Sequence, residues 1–183
     1  MPLERRRAAA VTLTVCRDDT HPAIIVTRRS ASLRAHSRQW ALPGGRRDQG
    51  ESAIEGALRE LHEEVGLNAG TDAVIGLLDD YATRSGYVMT PVVVWSDVDW
   101  RDLRPNPDEV DIVRPFLFKE LARRDSPNLQ TIKESDREVL SMNFHDDAIY
   151  APTGALLYQF REVAMFGRHT RVAHFDQPLF AWR

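Results

Sequence analysis

The chain has 183 residues, which is enough for one domain with a sizeable buried core. Hydrophobic residues make up 43% of it and the formal net charge at pH 7 is −3, which argues against a protein that holds nucleic acid by bulk positive charge. The single cysteine, Cys16, excludes an intramolecular disulfide and is typical of the reducing cytoplasm, where we expect the protein. No apolar stretch approaches the length of a membrane span, so no membrane partner is expected.

The first part of the chain predicts strands. Apolar runs with β-branched residues predict strands over 8–17 and 23–28, with turn residues between them. A short strand is predicted over 40–42, after a polar loop at 30–39. The threonines in the first run favour a strand over a signal peptide near the N-terminus.

A helix is predicted from Ser52 to Gly66. Ser52 is a good N-cap residue, and a glycine such as Gly66 commonly ends a helix. Five apolar residues recur at helical spacing and form one stripe: Ile54, Ala57, Leu58, Leu61 and Val65. Glu60, Glu63 and Glu64 stand three and four residues apart, so they share a different face of this helix.

The rest of the chain predicts further strands and helices. The predicted strands lie over 73–79, 87–95, 112–118, 171–175 and 179–182, and the predicted helices lie near Glu120 and over 132–142 and 153–167. No repeat, low-complexity tract or linker divides the chain, so residues 1–183 are predicted to form a single domain. Strands mixed with a few helices indicate the α/β class.

Three carboxylates on one helical face are unfavourable unless something binds them. Glu60, Glu63 and Glu64 repel one another, and only Arg59 and His62 are near enough in sequence to pair with them. A hard divalent cation would remove the conflict, because Mg²⁺ prefers one or two carboxylates together with water and substrate phosphates. A solvated acidic face on a surface helix would explain the same residues, so the helix alone leaves both interpretations open.

The helix is part of a longer pattern over residues 45–67. The pattern is G-x5-E-x7-R-E-U-x-E-E-x-G-U, where U is a bulky aliphatic residue, and nine positions match it: Gly45, Glu51, Arg59, Glu60, Leu61, Glu63, Glu64, Gly66 and Leu67. This stretch resembles the Nudix box, with every fixed position filled. The resemblance implies an α/β/α sandwich with a mixed β-sheet. It also implies a loop-helix-loop that binds Mg²⁺ or Mn²⁺ and hydrolyses a nucleoside diphosphate linked to another moiety.

The resemblance also implies roles for residues of the box. Glu60, Glu63 and Glu64 are expected to bind the metal, with the carbonyl group of Gly45 as a further ligand. Either Glu63 or Glu64 is expected to polarise the attacking water. Gly66, like Gly45, is expected to serve the geometry of the backbone.

Two further roles complete the expected site. Arg59 can reach Glu51 or Glu63, so we expect it to hold the loop and orient the catalytic groups, with Glu51 structural in the box. Many Nudix sites need one more carboxylate outside the box, and Glu109 is the candidate. A solvated loop charge explains Glu109 equally well, and Asp108 is the fallback.

A second pattern before the box bears on the substrate. Its matching residues are Thr27, Arg29, Ser30, Arg34, Pro43, Gly44 and Gly45. They resemble the coenzyme A diphosphatase branch of the Nudix family, which implies cleavage of coenzyme A or acyl-CoA to adenosine 3′,5′-bisphosphate and 4′-phosphopantetheine. Arg29, Arg34 and Gly44 are then expected to bind this substrate. The chain departs from the pattern at Arg38, which replaces a glycine, and at Leu42, which replaces a phenylalanine.

Several nearby residues have a simpler explanation. Arg28, Arg46 and Arg47 are interpreted as solvated surface arginines, although guanidinium groups can bind phosphate in pairs of hydrogen bonds. Tyr87 is interpreted as a packing residue in preference to a wall of the substrate cleft. Asp147, with the neighbouring His145 and Asp146, lacks a regular ligand spacing and is interpreted as part of a loop.

Three alternative functions stay open. The box does not distinguish coenzyme A from ADP-ribose, NADH or a nucleoside triphosphate. A non-catalytic nucleotide sensor is less favoured, because every carboxylate of the box is present and no basic recognition helix is found. An isomerase on the same fold would need a catalytic cysteine, which Cys16 in an early strand does not provide. The expected partner is a small-molecule diphosphate, not nucleic acid, and a homodimer is an open option.

Overall fold

The structure is a computed structural model that describes residues 6–30 and 39–182. Within these residues there are eleven strands and three α-helices. The strands are β1 (Arg7–Asp18), β2 (His21–Arg29), β3 (Trp40–Ala41), β4 (Gly44–Arg46), β5 (Val74–Leu77), β6 (Tyr81–Ala82), β7 (Tyr87–Asp99), β8 (Val110–Leu117), β9 (Asn128–Ile132), β10 (Ser135–Phe144) and β11 (Asp147–Tyr150). The helices are α1 (Ala53–Val65), α2 (Phe118–Leu121) and α3 (Thr153–Phe160), the last continued by a π-helical turn, Arg161–Met165.

The central sheet is mixed and has the strand order β3-β2-β1-β7-β5, with β4 on β1, β6 on β7 and β8 on β2. β1 and β7 run parallel, with Val11 opposite Pro91, whereas the other pairs in this sheet are antiparallel. Both faces of β1 are covered, so its residues are buried from Ala9 to Cys16. This burial includes Thr12 and Thr14, so the alternating threonines of this strand do not mark a solvent-exposed face.

β1 and β2 pair only near their shared turn, where Val15 lies opposite Ile24. Farther from the turn, the segment 40–46 occupies the space between them, with β3 on β2 and β4 on β1. Thr12 donates its backbone N–H to the carbonyl group of Pro43 at 2.8 Å, which joins this segment to β1. The two glycines that follow Pro43 are therefore held inside the sheet, next to α1.

Two hydrophobic layers cover the sheet. On one face, Ala57, Leu61 and Val65 of α1 pack against the buried residues of β1, β2, β7 and β8. On the other face, α3 packs with a second antiparallel sheet of order β11-β10-β9. The predicted α/β/α sandwich with a mixed β-sheet is confirmed, and the second sheet is an addition to it.

The predicted helix from Ser52 to Gly66 is confirmed in detail. The Ser52 backbone N–H donates to the Glu55 carboxylate at 2.8 Å, and the Glu55 N–H donates to the Ser52 hydroxyl at 3.2 Å, which forms a capping box. Gly66 ends the helix with a φ of 71°, a left-handed conformation that favours glycine. Across residues 6–30 and 39–182, no helix has the length and apolarity needed to cross a membrane.

Two predictions for the C-terminal part were wrong. Residues 132–142 do not form a helix, because most of this segment belongs to strand β10. β10 is buried on both faces from Val139 to Met142, so it lacks the alternation of polar and apolar residues that identifies a strand. The terminal strands predicted over 171–175 and 179–182 are turns and a 3₁₀-helix, Leu179–Ala181. Val172, Phe175 and Ala181 of these segments are buried against the core without a continuous ladder of hydrogen bonds; Val139 and Asp176 form one isolated bridge.

Candidate metal centre and substrate cleft

Three carboxylates from two separate segments meet at the end of α1. Glu60 and Glu64 lie one turn apart on the helix, and Glu109 comes from the loop that precedes β8. One carboxylate oxygen of each lies within 4.8 Å of the others. The loop is held in place by the Asn106 N–H, which donates to the backbone carbonyl of Glu64 at 2.9 Å, and by the Ser30 N–H, which donates to the carbonyl of Glu109 at 2.9 Å. We call Glu60, Glu64 and Glu109 the acidic centre.

The negative charge of the acidic centre is only partly balanced by the neighbouring arginines, Arg29 and Arg59. Glu64 is 3% exposed, and burial, together with the negative charges of Glu60 and Glu109, raises its pKa to about 8. The counter-charge nearest to Glu64 is Arg29, whose guanidinium lies 3.6 Å from its carboxylate, and the Gly44 N–H donates to the same carboxylate at 3.4 Å. Burial also raises the pKa of Glu60. A cation at this position would compensate the clustered charge.

The chemistry and the space of the acidic centre fit a hard divalent cation. Its donors are carboxylate oxygens, which Mg²⁺ and Mn²⁺ prefer. Gly45 passes so close to the centre that a Cβ atom there would lie 2.5 Å from the Glu60 carboxylate oxygen Oε1. Gly44 has a φ of 153°, and its Cβ would lie 2.6 Å from the Cα atom of Val11. Both glycines therefore allow β4 to run between β1 and the carboxylates of α1.

Arg59 connects the carboxylates of the box to the loop before the helix. It donates to Glu51 at 2.9 and 3.1 Å, to Glu60 at 2.9 Å and to Glu63 at 3.0 Å. It also donates to the backbone carbonyl of Arg46 at 3.0 Å. The hydrogen bonds from Arg59 lower the pKa of Glu51 and raise the pKa of Arg59, so both groups are charged at neutral pH.

Glu63 stands apart from the acidic centre. Its side chain is 48% exposed, and its carboxylate accepts a hydrogen bond from Arg59. Among the described residues, the cluster that could hold a metal ion contains Glu60, Glu64 and Glu109 and does not include Glu63. Glu64 and Glu63 therefore differ in environment. Glu64 faces the sheet, whereas Glu63 faces the solvent and Arg59.

A cleft of about 470 Å³ lies next to the acidic centre. Arg29, Gly44 and Gly45 line the cleft and also contact or approach the acidic centre, so the cleft and the acidic centre are neighbours. Arg46 and Tyr87 line the same side, where the Arg46 guanidinium donates to the Tyr87 hydroxyl at 2.6 Å. The volume is within the range of sites for small molecules, which is about 300–1,000 Å³.

Other candidate residues lie elsewhere or have structural partners. Arg28 pairs with Asp111 at 2.9 Å, and Arg47 donates to the backbone carbonyl of Glu51 at 3.0 Å. Cys16 is buried in β1, where burial raises its thiol pKa to about 12, so it is not a nucleophile. Arg34 and Arg38 lie outside the described residues, so their predicted contributions stay predictions.

The cleft also contains residues that the sequence had not assigned to the site. Arg46 and Tyr87 had been interpreted as surface and packing residues, yet both line the cleft. Tyr150 and Phe180 come from β11 and the C-terminal 3₁₀-helix, far from the box in sequence. Of these residues, only Arg46 could have been assigned to the site from the sequence, because it follows the two glycines directly. No sequence pattern indicates the role of Asn106, which positions Glu109.

Comparison with known proteins gives one family. A family model described as the NUDIX domain matches residues 5–141. A relative from Pectobacterium atrosepticum, described as an uncharacterized Nudix hydrolase NudL, is 34% identical over 162 residues, which cover 86% of this chain and 83% of the relative. A relative of the same description from Yersinia pestis is 43% identical over 89 residues, which cover 48% of this chain and 44% of its own length.

Solved structures show the same fold at low identity. A MutT/nudix family protein from Enterococcus faecalis is 16% identical and superimposes with a TM-score of 0.61, over 87% of this chain and 62% of that chain. The NUDIX domain of Shewanella oneidensis NrtR, solved in complex with ADP ribose, is 17% identical with a TM-score of 0.50, over 63% of this chain and 75% of that chain.

Proposed function

Because the chain belongs to the Nudix hydrolase family, we propose that it is a divalent-metal-dependent diphosphatase that hydrolyses coenzyme A or acyl-CoA. The products would be adenosine 3′,5′-bisphosphate and 4′-phosphopantetheine. The observation that carries this proposal is that the acidic centre neighbours a cleft, with Arg29 at their junction. If the diphosphate of coenzyme A lies at this junction, the adenosine half and the pantetheine half of the substrate would lie in different environments.

Glu60, Glu64 and Glu109 are the proposed ligands of Mg²⁺ or Mn²⁺, with the carbonyl group of Gly45 as a further ligand. Bound metal would neutralise the charge on the phosphate oxygens and promote ionisation of water. Glu63 stays a candidate ligand only if its side chain leaves Arg59. We therefore assign the metal site to the acidic centre first.

The chain's own residues account for the remaining steps. Water attacks one phosphorus of the diphosphate, and a carboxylate accepts its proton. Glu64 is the proposed acceptor, because its carboxylate lies in the acidic centre, whereas the carboxylate of Glu63 is turned to Arg59. Arg59 orients Glu60 and holds the loop through Glu51, without touching the reacting atoms.

Arginines and glycines would bind the diphosphate. Arg29 and Arg46 line the cleft together with Gly44 and Gly45, and guanidinium groups bind phosphate oxygens in pairs of hydrogen bonds. Gly44 is a proposed backbone contact of the anion, because it lines the same cleft. Arg34 is retained as a proposed substrate ligand on the sequence pattern alone.

ADP-ribose is the second candidate substrate, since the NrtR domain, a neighbour in fold, was solved with this ligand. NADH and nucleoside triphosphates share the same diphosphate chemistry. We also propose that the protein acts in the cytoplasm on a small soluble substrate, without nucleic acid or membrane. A homodimer is an open part of the proposal, which light scattering after gel filtration would measure.

The experiment is a hydrolysis panel. Coenzyme A, acetyl-CoA, ADP-ribose, NADH and dGTP are each incubated with the protein and Mg²⁺, Mn²⁺ or EDTA, and the products are separated by chromatography. We expect metal-dependent release of 4′-phosphopantetheine in clear preference to the other reactions. If ADP-ribose or NADH is hydrolysed in preference, that compound is the substrate and coenzyme A is not. Tight binding without turnover would indicate a sensor.

A further inference from the structure

We propose that the part of the cleft formed by Tyr150 and Phe180 binds the acyl-pantetheine arm of the substrate, so that the adenosine half lies on the opposite side of the diphosphate. We call these two residues the C-terminal wall. The proposal rests on the proposed coenzyme A substrate and assigns its direction in the cleft. Neither residue belongs to the box or to the second sequence pattern.

Away from the two arginines, much of the cleft is apolar. Its lining includes Leu42 and Ile149, which are buried, and the aromatic side chains of Trp40, Tyr150 and Phe180. The Tyr150 and Phe180 rings form an edge-to-face pair with centroids 5.5 Å apart. Phe180 is 54% exposed, and burial of its aromatic surface by a ligand would be favourable. An apolar ligand in the cleft would provide this burial.

The charges of the lining decide between the two halves of the substrate. Among the described lining residues, the cations are Arg29 and Arg46, and both lie beside the Gly44–Gly45 segment. Asp147 is the acidic residue of the lining and accepts a hydrogen bond from the Trp40 indole at 3.0 Å. Arg28 is near Trp40, but its charge is met by Asp111 at 2.9 Å. The other described residues of the lining therefore carry no positive charge; outside the lining, Arg7 lies over the Tyr87 ring at 4.1 Å.

The adenosine half of coenzyme A carries a 3′-phosphate as well as its share of the diphosphate. Placing that dianion beside Asp147 would bring like charges together, and beside the C-terminal wall it would have no counter-charge from the lining. The pantetheine arm is neutral, with two amides and a terminal thiol or thioester. Thr83, Ser85 and Gln177 line the cleft with uncharged polar groups that suit amides. Charge complementarity thus favours the acyl-pantetheine arm.

The test measures the binding of each half separately by calorimetry in the presence of Mg²⁺. One half is supplied as S-acetyl-, S-butyryl- and S-octanoyl-4′-phosphopantetheine, and the other as adenosine 3′,5′-bisphosphate. For the wild type we expect affinity for the acyl half to rise with chain length, by up to about fourfold per buried methylene. The affinity for adenosine 3′,5′-bisphosphate provides the internal reference.

Variants locate the effect. Phe180→Ala and Tyr150→Ala should weaken binding of the octanoyl compound by about tenfold or more and reduce the dependence on chain length, with adenosine bisphosphate changed by less than about twofold. Phe166→Ala is the matched control, because Phe166 is also an exposed aromatic, 42% exposed, and is not part of the cleft lining. Phe180→Leu and Tyr150→Phe should retain most of the affinity. Circular dichroism and thermal melts would show that each variant is folded.

The possible results separate this inference from the proposed function. The inference is overturned if the variants weaken adenosine bisphosphate instead, if the wild type shows no dependence on chain length, or if Phe166→Ala has the same effect. If coenzyme A is not hydrolysed but the acyl half binds as expected, the proposed reaction fails and the subsite stands. If coenzyme A is hydrolysed and the C-terminal wall variants bind the octanoyl compound normally, the subsite is wrong and the reaction stands.

Discussion

Glu64 shows how a single buried side chain makes the site dependent on a ligand. A carboxylate that is 3% exposed and next to two others is costly to ionise, as its raised pKa of about 8 reflects. The nearby Arg29 offsets part of this cost at 3.6 Å. A cation bound to the folded protein but not to the unfolded chain would stabilise the fold.

We predict that Glu64→Gln lowers kcat by at least about 100-fold, because it removes a metal ligand and the proposed proton acceptor. It should also reduce the rise in melting temperature that Mn²⁺ produces, which scanning fluorimetry would measure. Glu63→Gln is the neighbouring control and should retain most of that rise, because Glu63 contacts Arg59 outside the acidic centre. If both variants hydrolyse the substrate at the wild-type rate, the metal assignment is wrong.

Gly45→Ala is predicted to weaken Mn²⁺ binding by about tenfold or more, because the added Cβ would lie 2.5 Å from the Glu60 carboxylate. Calorimetric titration with Mn²⁺ gives the affinity directly. Gly76→Ala is the matched control, since a Cβ at Gly76 would have no heavy atom within 4 Å. Equal Mn²⁺ affinities for the two variants would show that the close approach of β4 is unimportant.

At the scale of elements, the loop before β8 joins α1 to the third carboxylate. The backbone N–H groups of Arg104 and Asn106 donate to the carbonyls of Val65 and Glu64 at 2.8 and 2.9 Å, where the helix ends. The Asn106 side chain then donates to the Glu109 carboxylate at 3.3 Å and accepts from the Asp108 N–H at 3.1 Å. The loop thus both satisfies the end of the helix and orients Glu109.

We therefore predict that Asn106→Ala lowers Mn²⁺ affinity by about tenfold, within the usual range for groups that orient a metal ligand. Its effect should be non-additive with Glu109→Ala, because both changes remove the same positioned carboxylate. The measurement is Mn²⁺ titration of the two single variants and the double variant. Asp108→Ala should have little effect. Strictly additive effects of Asn106→Ala and Glu109→Ala would show that Asn106 acts elsewhere.

At the scale of the whole molecule, Asp176 ties the C-terminal segment to two other parts of the fold. It pairs with Arg84, after β6, and accepts a hydrogen bond from Ser135 of β10 at 2.6 Å and from the Gln177 N–H at 2.8 Å. Burial alone would raise the pKa of Asp176, but these hydrogen bonds outweigh it and lower the pKa to about 2. The segment that carries Phe180 of the cleft follows directly.

This lowered pKa predicts how stability depends on pH. Because the folded pKa lies below the unfolded value of about 3.9, the contribution of Asp176 is complete above about pH 5 and is lost as the pH falls towards 2. Asp176→Asn should lower the free energy of unfolding by about 1–2 kcal/mol at pH 7 and flatten the decline between about pH 4 and 2. Urea unfolding at several pH values measures this. Asp97→Asn, whose side chain is 86% exposed, should change stability little.

The predictability of the elements followed the strength of their local signals. α1 was predicted to its caps, because Ser52, Gly66 and the apolar stripe are local features of a helix. β10 was predicted as a helix, because burial of both faces removes the alternation that would have identified it. In the site, Glu60 and Glu64 share a helical face by spacing alone, whereas the position of Glu109 depends on the backbone contacts of Asn106.

The sequence by itself determined the family and the acidic face of α1, because both depend on residues close together along the chain. Only the tertiary structure decided which carboxylates meet, with Glu109 near Glu60 and Glu64 and with Glu63 turned to Arg59. It also brought Tyr150 and Phe180 to the cleft. These positions depend on contacts between segments that are distant in sequence, and such contacts produce no periodic pattern in the sequence.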